Sequence, residues 1–230
     1  IVLQSDKGNV TNSDNFNTMY SNGAQNDKFD GKDITTGSIT MSAEHGKVIN
    51  NVDLEAGKNI TLFAKEGLTN FSYKIFAGED ITLTATAGDL VNTSTLESVK
   101  GDITLTAEHG NVINGTSTSN RKGDIITLGG MVTLKALGKD GQDNGYSVTN
   151  YGDIIAVNKN NPADSSAGSI VLKSEFGDVN NYDDFNTYSK TAESGLDYIR
   201  TLDISKHKSV AGLSSTTDNS YNVATSNITL

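Results

Sequence analysis

The side chains most able to do chemistry in this chain are two histidines and a scatter of carboxylates. His45 and His109 both stand in the tetrapeptide AEHG, each directly after a glutamate, Glu44 or Glu108. An imidazole beside a carboxylate can ligate a metal or exchange protons, and a pair of glutamates is the machinery of glycoside hydrolysis. Asp80, Asp102 and Asp124 recur at intervals of 22 residues; a column of carboxylates could hold Ca²⁺ or act as an acid–base pair. KDGQDNG at 139–145 has the composition of a calcium loop but lacks the glutamate that closes one. Asp183 and Asp184 are consecutive, so on a strand they point to opposite faces. The sequence holds no nucleophile elbow, Walker loop or zinc-type Cys/His spacing.

What these groups can do together depends on the elements that hold them, and the first thing to establish is the repeat. Four stretches align: GSITMSAEHGKVIN (37–50), GKNITLFAKEGLTN (57–70), EDITLTATAGDLVN (79–92) and GDITLTAEHGNVIN (101–114). Their first apolar positions, Ile39, Ile60, Ile81 and Ile103, are spaced 21, 21 and 22 residues apart. Looser copies begin at Ile1, Val132, Ile170 and Ile228. Inside each copy the period is two, which marks a half-buried strand: Ile103, Leu105 and Ala107 share one face, Thr104 and Thr106 the other. A glycine follows three residues after the alanine (Gly46, Gly67, Gly88, Gly110), where positive φ would let the chain turn. A second short strand then places Val48, Leu90 or Val112 inward, with Asn50, Asn92 or Asn114 two residues on. The variable remainder of each unit, such as Val52 and Leu54, or Phe71, Tyr73 and Ile75, would form a third side.

Three short strands per unit, with no hairpin dipeptides between units and no helical period, exclude both a meander and an α/β sheet. The fold expected is all-β: a right-handed parallel β-helix, a three-sided solenoid of roughly eight to ten rungs at about 4.8 Å per rung, with loop insertions. Identical residues then stack in columns. The asparagines form one, joined by Asn12 and Asn181 in the outlying copies, and buried amides there can hydrogen-bond along the stack. Residues 1–18 and 170–187 match at eleven of eighteen positions at a constant offset of 169, a second level of repetition. A rod of order 45 Å follows from the rung spacing. The whole of 1–230 reads as a single β-helix segment and, since both ends fall in strand-like sequence, as a fragment of a larger protein. Insertions are expected at 17–36, 139–151, 156–168 and 186–224; within the last, SGLDYIRTLDISKH could be a short helix or an extra hairpin packed on the rod.

This geometry disperses the candidate chemistry. His45 and His109 occupy one repeat position three rungs apart, about 14 Å along the stack, whereas metal ligands sit about 2 Å from their ion. Glu44 and Glu108 are separated likewise, beyond the roughly 5–9.5 Å of a glycosidase pair. Asp80, Asp102 and Asp124 would lie on adjacent rungs, but each opens a strand near a glycine, where Asp commonly satisfies turn amides. No residue is therefore assigned a catalytic, cofactor-binding or metal role, no cofactor is called for, and the ligand-binding residues are left open. Phe63 takes an outward position where other rungs carry Thr or Ser, and could contact a sugar or a neighbouring chain.

Composition sets the outer limits. A net charge of −10 repels phosphate backbones, so nucleic acid is excluded as a partner. There are no cysteines, so no disulfide framework, and no apolar run approaches the roughly 20 residues that span a bilayer, so no membrane insertion is expected. Glycine is abundant at 23 residues, and proline occurs once.

The units AGKNITLFAKEGLTN and AGEDITLTATAGDLVN resemble the haemagglutinin repeats of filamentous-haemagglutinin-like exoproteins, across most of 37–138 and again at 168–185. The resemblance implies a β-helical shaft of a large secreted bacterial adhesin, exported by two-partner secretion through an outer-membrane transporter of a Gram-negative cell. Its expected role is structural and adhesive rather than enzymatic, on the bacterial surface, with a host-cell or bacterial receptor, a glycan among the candidates, as partner. Two alternatives stay open. One is a β-helical polysaccharide lyase or hydrolase, because the HG dipeptides at 45–46 and 109–110 resemble those of polygalacturonases, although the Asn-Thr-Asp and Arg-Ile-Lys motifs are absent. The other is a passive stalk of a contact-dependent toxin delivery protein.

Overall fold

The computed structural model describes residues 1–17, 37–117, 123–138, 145–158, 168–182, 185–189 and 228–229. Among these it contains 22 strands and no helix, arranged as three sheets of eight, seven and seven strands, every pairing parallel. Each sheet takes every third strand in chain order. That is a three-sided parallel β-helix, here described by faces A, B and C of successive rungs. It has seven complete rungs and the first strand of an eighth, at the lower end of the expected number. Eight strands at about 4.8 Å place the first and last roughly 34 Å apart, shorter than the length expected from sequence.

Register is kept along the regular rungs. On face A, Ile39 pairs with Ile60, Ile60 with Ile81, Ile81 with Ile103 and Ile103 with Val132. Two residues on, Met41, Leu62, Leu83, Leu105, Leu134 and Leu172 form a second fully buried column, and Ala43 to Ala136 a third. Face B contributes Val48, Leu68, Leu90, Val112 and Val148; face C contributes Leu54, Ile75, Leu96, Ile125 and Ile154. Each buried aliphatic side chain stabilises by about 1.5–3 kcal/mol relative to exposure. The outward positions of face A carry Thr40, Thr61, Thr82 and Thr104, β-branched residues that suit a pleated surface.

The asparagine column is the polar spine of this core. Asn12, Asn50, Asn70, Asn92, Asn114, Asn150 and Asn181 follow one another on face B. Each Nδ2 donates to the Oδ1 of the next at 2.7–3.0 Å, six bonds in one direction without a gap. The second amide hydrogen goes to a backbone carbonyl of the corner: Val52, Ser94, Gly123 and Gly152 for Asn50, Asn92, Asn114 and Asn150. Full satisfaction is what allows amides at 0% exposure in an apolar core.

Several expected boundaries shift. Val148–Asn150 is a strand of face B inside the interval 139–151, because three residues are too few to display a period. Likewise Ile154–Asn158 and Phe185–Ser189 are face C strands that extend into the intervals 156–168 and 186–224, and Asn17 ends the first face C strand. Residues 18–36, 139–144, 159–167 and 190–224 of these intervals, including SGLDYIRTLDISKH, lie outside the described residues, as do residues 118–122. The first rung is 38 residues long, and from Ile103 onward the rungs lengthen: Ile103, Val132, Ile170 and Ile228 are successive partners, 29, 38 and 58 residues apart.

The glycine column also differs from expectation. Of the four glycines after the alanine, only Gly88 has positive φ, at 101°. Gly67 is displaced: it pairs with Lys47, since its rung has one residue fewer in that turn. What Gly110 provides is closeness, because a Cβ there would meet the carbonyl oxygen of Gly88 at 2.1 Å. At Gly67 the nearest atom is 3.4 Å away. We therefore expect Gly110→Ala to cost about 2 kcal/mol or more and Gly67→Ala about 0.5 or less, read by urea unfolding. Asn92→Ala, which strands the amides of Asn70 and Asn114, should cost about 2–4 kcal/mol in the same measurement.

Candidate binding surface

The groups with possible chemistry are positioned by the corners. Many strands are preceded by a short polar residue whose side chain reaches the next rung. Before face A, Asn59 Oδ1 accepts from the Asp80 amide at 3.0 Å, Asp80 Oδ1 from the Asp102 amide at 2.8 Å, and Asp102 Oδ1 from the Met131 amide at 2.7 Å. Before face B, Asp89 accepts from Asn111, Asn111 from Ser147, and Ser147 from Asp178. Before face C, Asn15 accepts from Asp53, Asp53 from Tyr73 and Lys74, and Asp124 from Asp153. These are charge-assisted or amide bonds along the axis, running outside the buried ladder.

Asp80 and Asp102 are thus stacked neighbours, as their spacing predicts, and their oxygens serve backbone amides. Asp124 does not join them. It stands before face C with Asp53 and Asp153, so its spacing of 22 from Asp102 is coincidental: the unit lengths coincide while the faces differ. His45 and His109 are exposed, on rungs three apart, as are Glu44 and Glu108. Glu44 accepts from Ser42 Oγ at 2.7 Å. Among the described residues no group of three or more His, Asp or Glu converges where it could hold a metal ion. Residues 139–144 of KDGQDNG, and Asp183-Asp184, lie outside the described residues.

Phe63 points outward between Ser42 and Thr84, and is half-buried. The more exposed aromatics are elsewhere, and sequence reasoning missed Tyr182 and Phe176, the latter lying between faces A and B. The residue directly after each ladder asparagine turns the B–C corner: Asn51, Phe71, Thr93, Gly115, Tyr151 and Tyr182. Their amides each bond to the carbonyl of the previous rung's asparagine. Phe71 is 43% exposed and Tyr182 62%; Tyr73, also at this corner, is 72% exposed. Phe71 and Tyr73 therefore belong to the corner, not to the third side expected of them. Tyr151 and Tyr182 stack with ring centroids 4.9 Å apart and planes 10° from parallel. Between Phe71 and Tyr151 the small residues Thr93 and Gly115 leave an interval of three rungs, about 14 Å. Alignment on the asparagine would have revealed this column, because Phe or Tyr follows it in three units.

Exposed aromatic faces in a line, flanked by amides and hydroxyls, can stack on sugar rings or on a second polypeptide. No family model, curated protein or solved structure matches the chain.

If the corner aspartates act only as amide acceptors, Asp102→Asn keeps the acceptor and should leave stability within about 0.5 kcal/mol, while Asp102→Ala should lose about 1 kcal/mol. Thermal unfolding with millimolar CaCl₂ and with EDTA should coincide for the parent chain; a calcium-dependent rise in Tm would instead make the column a metal site. His45→Gln and His109→Gln should each stay within about 0.5 kcal/mol of the parent.

Proposed function

We propose that this chain is a structural and adhesive shaft segment of a large secreted bacterial surface adhesin, attaching to host cells or other bacteria. One observation carries the reading: the buried asparagine ladder runs without interruption through seven rungs, the construction of a stiff spacer. Such a rod is a sum of neighbour contacts and can be extended without limit. The resemblance of the repeat units to haemagglutinin repeats supports export by two-partner secretion and display at the cell surface. The candidate catalytic groups are dispersed by rung or engaged with backbone amides, so we assign no reaction.

For the adhesive part, the B–C corner aromatics Phe71, Tyr73, Tyr151 and Tyr182 are the surface we assign to contact with a receptor, a glycan in the first instance. The expected result is saturable binding of the purified chain to epithelial cells or a glycan array, weakened about tenfold or more by the triple substitution Tyr73→Ser, Tyr151→Ser, Tyr182→Ser with the fold intact. Release of reducing sugar or unsaturated products from acidic polysaccharides would replace the adhesin with a lyase or hydrolase. Absence of both binding and turnover would leave a passive stalk.

A further inference from the structure

The sixth and seventh rungs gather exposed aromatic rings on both sides of one face. Their face B strands are Val148–Asn150 and Val179–Asn181. Phe176 stands before the second of these strands and Tyr182 directly after it, 56% and 62% exposed. Both rings are held in place. Ser174 pins the turn that carries Phe176: its Oγ accepts from the Gly177 amide at 2.7 Å and donates to the Tyr146 carbonyl at 2.6 Å. The Phe176 ring lies against Gly138, where a Cβ would come within 2.1 Å of its Cδ2, so a side chain there would push the ring away. Tyr182 stacks on Tyr151, and its amide donates to the Asn150 carbonyl at 2.9 Å. Between the two platforms the outward positions are polar. Thr149 and Asn180 are register partners, and the residues on either side of each face the interior, so their own side chains face out. Both are half-buried, and neither side chain has a hydrogen-bond partner among the described residues. Tyr182 is six positions on from Phe176, so the chain between them spans at most about 20 Å.

We propose that this part of face B binds a neutral oligosaccharide laid across the shaft, with Phe176 as one stacking platform and the Tyr151–Tyr182 pair as the other. The proposal rests on the adhesive reading above; it adds the class of glycan and its direction, across one face instead of along the B–C corner. A pyranose with equatorial hydroxyls offers a face of C–H bonds to an aromatic ring and a rim of hydroxyls to polar groups. Exposed rings with a hydroxyl and an amide between them match both parts of such a ligand, because Thr149 and Asn180 can each donate and accept. Charge selects among sugars. Asp178 is exposed two residues after Phe176, and Lys173 is already engaged by Glu175 at 3.3 Å. With a net charge of −10 on the chain, sialic acids, uronates and sulfated sugars are repelled. A peptide strand fits less well, since the outer side of a sheet presents no backbone groups for it to extend. The ligand groups stand on strands and a pinned turn, so little of the protein has to be ordered when the sugar binds.

Isothermal titration of the full chain tests this with soluble probes: cellotetraose and tetra-N-acetylchitotetraose, both neutral, and tetragalacturonate, an anion. The expected result is saturable binding of at least one neutral probe, with tetragalacturonate at least about tenfold weaker. Phe176→Ser, Asn180→Ala and Tyr182→Ser should each weaken the neutral probe about fivefold or more, with the circular dichroism unchanged. If Phe176→Ser alters the fold, Phe176→Leu, which keeps an apolar contact with Gly138 and loses the aromatic face, is read in the same way. Loss of binding in Tyr182→Ser but not in the Phe176 variants overturns the proposal, because the ligand then lies along the B–C corner; the adhesive reading survives that result. Tetragalacturonate binding as tight as the neutral probes overturns it as well. If no probe binds, the proposal fails, and saturable attachment of the chain to epithelial cells decides separately whether the adhesive reading stands.

Discussion

Everything in this molecule depends on one constraint: each rung must lie over the previous one in register, so that backbone and side-chain hydrogen bonds run along the axis. A parallel sheet cannot be closed by hairpins, and its strands need crossovers that bring the chain back one step higher. Here the crossover is the rest of the rung. The constraint is met three times over at each step, by sheet ladders on the faces, by the asparagine amides inside the B–C corner, and by Asn, Asp and Ser oxygens at the starts of strands. A slip of one residue would turn Ile, Leu and Ala outward and break every column at once.

The same constraint decides what chemistry the surface can carry. A residue that recurs with the rung meets only its own copies, at a fixed separation along the axis. His45 and His109 are kept apart by it, and Asp80 and Asp102 are brought together by it but engaged with amides. Side chains of different type converge only at corners and where turns lengthen, since those positions escape the repeat. Phe71, Tyr73 and Tyr182 are exposed at the B–C corner, and Phe176 is exposed between faces A and B. A shaft that is regular inside and variable at its corners can change its partners without altering its core.

The stacked Tyr151 and Tyr182 and the buried Phe76 illustrate two fates of an outward aromatic. At the B–C corner the exposed Tyr182 ring stacks on the half-buried Tyr151. On face C the ring is removed from water although it points away from the core. Side-chain type is the same in both cases; the difference is the neighbours, because Lys74 lies over the Phe76 ring and Glu55 and Glu97 flank it.

Sequence alone determined the architecture, because period two, a unit of about 21 residues and recurring Ile, Leu, Ala and Asn leave a single way to bury those positions together. The asparagine ladder was legible for the same reason: an amide at a fixed place in every copy has only its own kind as neighbour. What only the tertiary structure decided was what breaks periodicity. The displacement of Gly67 by a shortened turn, the grouping of Asp124 with Asp53 and Asp153, the strand at Val148–Asn150, and the burial of Ile126 and Ile155 on the outer side each depend on which rung and face lies next in space. Spacing along the chain ceases to measure distance once turns differ in length.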